Sequence, residues 1–134
     1  MANALYPKWK EQLLQFTANN NLSAGTVKVA LIDTGTYTYN SANQFYSSAS
    51  SASVGTPQTL ASKTFTNGVF DAADVTFTAV TGASVEALSR YIDTGSNATS
   101  PLVAYIDTSV TGLPVTPNSG DITITWNASG IFAL

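Results

Sequence analysis

Val75-Thr76-Phe77-Thr78-Ala79-Val80, the turn Thr81-Gly82, residues 83–93, a polar link at 94–101 and Leu102-Val103-Ala104-Tyr105-Ile106-Asp107 follow one another in the middle of the chain. Val75, Phe77 and Ala79 alternate with threonines, a period of two that puts one face of an extended segment in a core and the other toward water. Polar turns separate the three apolar runs, which predicts a β-meander over 75–107. Its second and third strands end in Ile92-Asp93-Thr94 and Ile106-Asp107-Thr108, and an earlier run ends in Ile32-Asp33-Thr34.

Outward from this centre the same period recurs. Val27, Val29 and Leu31 mark a strand at 26–32, which Thr36-Tyr37-Thr38-Tyr39 can extend as an edge. Asn67-Gly68 lies between two extended runs and predicts a hairpin, because both positions of a tight two-residue turn require positive φ. Ile122, Ile124 and Trp126 alternate with Thr123 and Thr125, Pro114 and Pro117 stiffen the loop before them, and residues 131–134 make the last strand. Burial is expected at Val29, Leu31, Phe77, Val103, Tyr105, Ile122, Ile124 and Trp126. Residues 40–56 contain Ser47-Ser48-Ala49-Ser50-Ser51-Ala52-Ser53, with neither periodicity nor bulk enough to offset the entropy of ordering them, and read as a mobile loop.

At the N-terminal end the period is helical. Leu5, Trp9, Leu13 and Phe16 form one stripe, Pro7 suits a first turn, and Asn19-Asn20-Asn21 suits the helix end. The whole reads as a single all-β domain over 1–134: a β-sandwich, jelly-roll-like, of seven or eight short strands with one N-terminal α-helix. A helical segment at 1–24 precedes a sandwich at 26–134 that carries the Ser-rich loop at 40–56.

Composition narrows function. The 134 residues include neither cysteine nor histidine, which removes thiolate metal sites and the commonest catalytic base. Charged residues make up only 10% of the chain, and five basic side chains against a net charge of −3 offer no patch for phosphates, so no nucleic-acid partner is expected. No apolar run reaches the roughly 20 residues of a membrane span, and the first residues lack the layout of a secretory signal, so synthesis in a cytoplasm is expected.

Asp-Thr-Gly occurs at 33–35 and 93–95, a tripeptide that aspartic proteases carry twice so that two carboxylates share a proton. Only about 60 residues separate the copies, too few for an enzyme lobe to fold between them, and Asp107-Thr108-Ser109 repeats the strand-ending pattern. Aspartates closing turns are the favoured reading, with a protease as a remote alternative. Asp71 and Asp74, with Asp93, Asp107 or Asp121, offer oxygen ligands for Ca²⁺, but their spacing matches no EF-hand loop, and capping and turn aspartates are the favoured reading. The sequence points to no enzyme and calls for no cofactor or metal.

Four blocks carry a family resemblance: Ala4-Leu5-Tyr6-Pro7-Lys8-Trp9-Lys10; residues 26–34, from Thr26-Val27-Lys28 to Ile32-Asp33-Thr34; residues 67–77, including Asn67-Gly68-Val69-Phe70-Asp71-Ala72-Ala73-Asp74; and Gly112-Leu113-Pro114-Val115-Thr116-Pro117-Asn118. Together they resemble a family of small virion proteins of tailed bacteriophages, over nearly the whole chain. Some members resemble capsid cement, or decoration, proteins. The resemblance implies a β-sandwich or jelly-roll module on the outside of the head that clamps neighbouring major capsid subunits, often as a dimer. Neck, tail or head-fibre components are alternatives within the virion. A host-surface binding module, using Trp9, Tyr37, Tyr39, Phe45 and Tyr46, is another. Residues 47–53 depart from the family pattern. A cement protein needs adaptable pieces beside a stable body, which makes the N-terminal segment and the Ser-rich loop the expected grip. Tyr6, Trp9, Leu13, Phe16, Phe45 and Tyr46 are its candidate partner-binding residues.

Overall fold

The computed structural model describes residues 3–134; Met1 and Ala2, part of the expected helical segment, lie outside the described residues. The fold is all-β with one α-helix. In chain order come β1 (Ala4–Leu5), α1 (Pro7–Leu14), β2 (Thr26–Ile32), β3 (Ser53–Thr59), β4 (Val69–Phe70), β5 (Val75–Phe77), β6 (Ala87–Asp93), β7 (Leu102–Ile106), β8 (Ile122–Ile124) and β9 (Phe132–Ala133). A five-stranded antiparallel sheet runs β1-β7-β6-β2-β3, and two two-stranded ribbons, β4-β9 and β5-β8, stand apart from it. A jelly roll has two four-stranded sheets; here the second layer is split into ribbons.

The central strands are covered on both faces. β6 is buried from Ala87 to Ile92 and β7 throughout, so both read as continuous apolar runs. On one face Arg90 meets Phe70 and Trp126 from the ribbon side. On the other, the Tyr46 ring stacks on Tyr91 at 3.8 Å between centroids, while Tyr37 and Tyr39 pack on Tyr105. All eight residues expected to be buried are buried.

Several local expectations are corrected. The meander exists only as the β6-β7 hairpin; β5 leaves it to pair with β8, with Val75 opposite Ile124 and Phe77 opposite Ile122. Asn67 and Gly68 do take positive φ, 54° and 77°, and Thr64 and Asp71 exchange two backbone hydrogen bonds across the turn. β4, however, finds its strand partner in β9. Residues 36–39 are not an edge strand, because Tyr37 and Tyr39 turn inward onto the sheet. The Ser-rich segment is no mobile loop: Tyr46–Ser48 and Ser50–Ala52 form 3₁₀ turns, Ala49 and Ala52 are buried, and β3 follows at once. Small side chains that look too light to order a loop are what allow it to lie flat against a packed face.

The N-terminal segment belongs to the same core. β1 extends the sheet beside β7, and Tyr6 donates its N–H to the carbonyl of Val103 at 3.0 Å. The Asn3 side chain accepts from the N–H groups of Asp107 and Thr108 at 2.8 and 2.9 Å. The helix ends earlier than the asparagine run implies. Phe16 takes φ 54°, its N–H bonding to Leu13 O and that of Thr17 to Gln12 O, a closure that glycine usually provides.

Candidate functional site

The six candidate contact residues divide by burial. Tyr6, Trp9 and Tyr46 lie in the core and offer no side-chain surface to a partner, a correction to the expected grip. Apolar bulk at helical spacing served the protein's own interior: Trp9 meets Phe132 edge-on at 5.8 Å, and Tyr6 shares a hydrogen bond with Tyr37 at 2.8 Å. The same burial removes Trp9, Tyr37 and Tyr46 as surface rings for a glycan. Phe45 is half-buried beside Pro101, with which it forms an isolated β-bridge. Leu13 is half-buried and Phe16 is 96% exposed.

Leu13 and Phe16 line one wall of a groove of about 520 Å³. Trp9 and Leu22 contribute beneath and beside them, and Phe65 and Leu134 form the far wall. Leu134, on the groove's lining, is 72% exposed, and Leu14, which does not line it, is 90% exposed. Phe16 alone presents on the order of 200 Å², and a monomer's largest apolar patch is ordinarily about 300–600 Å². Trp9 Nε1, Gln12 Oε1 and Asn20 Oδ1, on three residues that line the groove, are buried without a hydrogen-bond partner among the described residues, one donor and two acceptors. The 17–25 segment is pinned by Lys63, whose ammonium donates to the carbonyls of Leu22 and Gly25, each at 2.7 Å.

Phe16 combines two costs at one position. A left-handed backbone costs a side-chain-bearing residue about 1–2 kcal/mol, and an exposed phenyl ring forgoes burial worth about 1.5–3 kcal/mol. Neither cost helps the isolated fold. The far wall was not legible in the sequence, because Phe65 and Leu134 reach the helix only through the β4-β9 pairing.

The two Asp-Thr-Gly copies do not meet. Thr26 pairs with Asp93 and Ile32 with Ala87, so Asp33 and Asp93 lie at opposite ends of β2, roughly 20 Å apart at about 3.3 Å per residue. Asp33 accepts from Gly35 N–H and Thr36 O–H at 2.8 and 3.0 Å, and Asp93 accepts from Gly95 N–H at 2.9 Å. Lys28, 2.8 Å away, and the Gly95 N–H hold the Asp93 carboxyl below its ordinary pKa. A shared-proton dyad is therefore ruled out. Among the described residues no three acidic side chains gather as a metal site would require. Asp74 and Asp121 instead accept from the N–H groups of Trp126 and Ala79, each at 3.0 Å.

A second feature escaped the sequence reading altogether. Arg90, in the middle of β6, is fully buried, and none of its three guanidinium nitrogens has a hydrogen-bond partner among the described residues. Its guanidinium carbon lies 4.6 Å from the Trp126 ring centroid and 5.4 Å from that of Phe70. Burial pushes its pKa down to about 9, opposed by the carboxylate of Asp71, so it is still charged at neutral pH. Cation–π contact contributes about 2 kcal/mol when desolvated, against several kcal/mol for burying an unpaired ion.

No protein-family model matches the chain, and no curated protein matches it.

Proposed function

We propose that this chain is a structural virion protein that binds the outside of a phage head and clamps neighbouring major capsid subunits, gripping them through the groove at the end of α1. The observation that carries the reading is Phe16, strained in its backbone and exposed in its side chain on the rim of an apolar groove. A residue costly to the monomer is useful where a partner buries it, and aromatic anchors dominate interface energetics. The sequence blocks quoted above supply the virion setting. Many modest contacts repeated over a lattice then add through avidity.

The test is rebinding to capsids that lack the protein. The wild-type chain should decorate them at a stoichiometry comparable to the major capsid subunit, and Phe16→Ser should fold normally yet decorate at least tenfold more weakly. Wild-type binding with an unaffected Phe16→Ser variant would place the grip elsewhere. Wild-type binding confined to tails or necks would remove the cement reading itself.

A further inference from the structure

The guanidinium of Arg90 bears on how the docking groove is held together. Phe70, one of the two rings covering it, belongs to β4, whose one strand partner among the described residues is β9, while the Thr64–Asp71 pair ties its end to the chain before it. The ribbon comprises two residues per strand, extended by bonds from Ile131 N–H to Phe70 O and from Leu134 N–H to Gly68 O. Among the described residues no ladder joins it to the five-stranded sheet; side chains hold it there, Phe70 over Arg90 and Phe132 against Trp9. Two-stranded ribbons are marginal by themselves. Glycines with positive φ, Gly68 at 77° and Gly130 at 102°, flank the two strands. The same ribbon carries the groove's far wall, since Phe65 stacks on Phe70 and Leu134 follows β9.

We propose that the β4-β9 ribbon is a strap that opens independently of the main sheet, that the unpaired guanidinium of Arg90 beneath it drives the opening, and that a partner seated in the groove holds it shut. Closed, the strap keeps a cation from water with two aromatic faces and the field of the Asp71 carboxylate to compensate but no hydrogen bond; open, it lets water reach all three nitrogens. Local opening of this kind appears as exchange of strap amides without exchange of the sheet. The role given to the partner rests on the docking reading above; the opening itself does not.

Native-state hydrogen exchange on the full chain tests it. The Ile131 and Leu134 amides should exchange about a hundredfold faster than the mid-strand amides of β2 and β6. Arg90→Met, which keeps the bulk and removes the charge, should slow the strap amides at least tenfold relative to β6. Phe70→Leu, which removes one aromatic face, should speed them. Strap amides exchanging at the β6 rate in the wild-type chain would overturn the proposal. So would Arg90→Met changing the strap-to-β6 ratio less than twofold, and if that variant does not fold, Phe70→Leu decides on the same criterion. With capsids bound, strap exchange should slow while β6 is unaffected; unchanged strap exchange would overturn the partner's part. Capsid binding by Phe16→Ser is read separately, so failure of the docking reading is distinguishable from failure of the strap.

Discussion

The hydroxyls of Tyr6 and Tyr37 lie 2.8 Å apart and buried, joining the turn before α1 to the segment that covers the opposite face of the sheet. Tyr39 packs on both Tyr6 and Tyr105, at 5.1 and 5.8 Å, so one tyrosine cluster ties the N-terminal segment to β7. Removing residues 1–17 would strip β1 from the sheet edge and take Tyr6 and Trp9 out of the core. The truncated chain should therefore lose cooperative unfolding, visible as a collapsed thermal transition. Trp9→Ala alone should cost about 3–5 kcal/mol in denaturant titration.

All six tyrosines have pKa values raised above the ordinary phenol value, chiefly by burial. An unfolded tyrosine ionises near pH 10. Above that pH the unfolded chain releases protons that the folded chain retains, so stability is fully present below about pH 10 and falls as the pH rises past it. Arg90 acts in the opposite sense, its lowered pKa favouring the folded state as pH rises above about 9, but six phenols outweigh one guanidinium. Denaturation midpoints should drop as the pH rises past about 10. Phenolate absorbance should rise together with unfolding; six independent titrations near the ordinary value in the folded protein would contradict the burial pattern.

Phe16→Gly should separate stability from binding. Glycine adopts the left-handed geometry without steric cost, so the variant should be more stable by about 1 kcal/mol, measured by chemical denaturation. The same change removes the exposed ring and should abolish capsid rebinding. A variant that is both less stable and fully competent to bind would invert the role given to Phe16.

Phe77 and Ile124 face inward from the β5-β8 ribbon, 1% and 0% exposed. Each truncated to alanine should cost about 2–5 kcal/mol. Thr76 and Thr123, paired on the opposite face with their hydroxyls 3.0 Å apart, should each tolerate valine within about 0.5 kcal/mol. Equal losses on both faces, in the same denaturant series, would mean that the ribbon's outer face is also covered.

The alternation of Val27, Val29 and Leu31, and of Ile122 and Ile124, was enough to determine an all-β class and one inward face of each strand, because a period of two is a local property of an extended chain, whereas the burial of Ala30 and Ile32 on the other face of β2 was not legible. The turn chemistry of Asp33, Asp93 and Asn67-Gly68 was likewise local, each acting within a few residues. Strand partnership was not. β5 had a neighbour in sequence and took β8, and Asn67-Gly68 turned the chain as expected while β4 paired with β9, 63 residues on. Pairing is settled by which apolar faces can be buried together, a property of the whole chain. The candidate site's Phe16 and the buried Arg90 have the same origin. Phe16 continues a helical stripe in the sequence, yet the chain turns left-handed there and leaves it in solvent beside residues 65 and 134. Arg90 reads as an ordinary cation on a strand, and only the closing of two ribbons over that strand put it between Phe70 and Trp126 with nothing to bond.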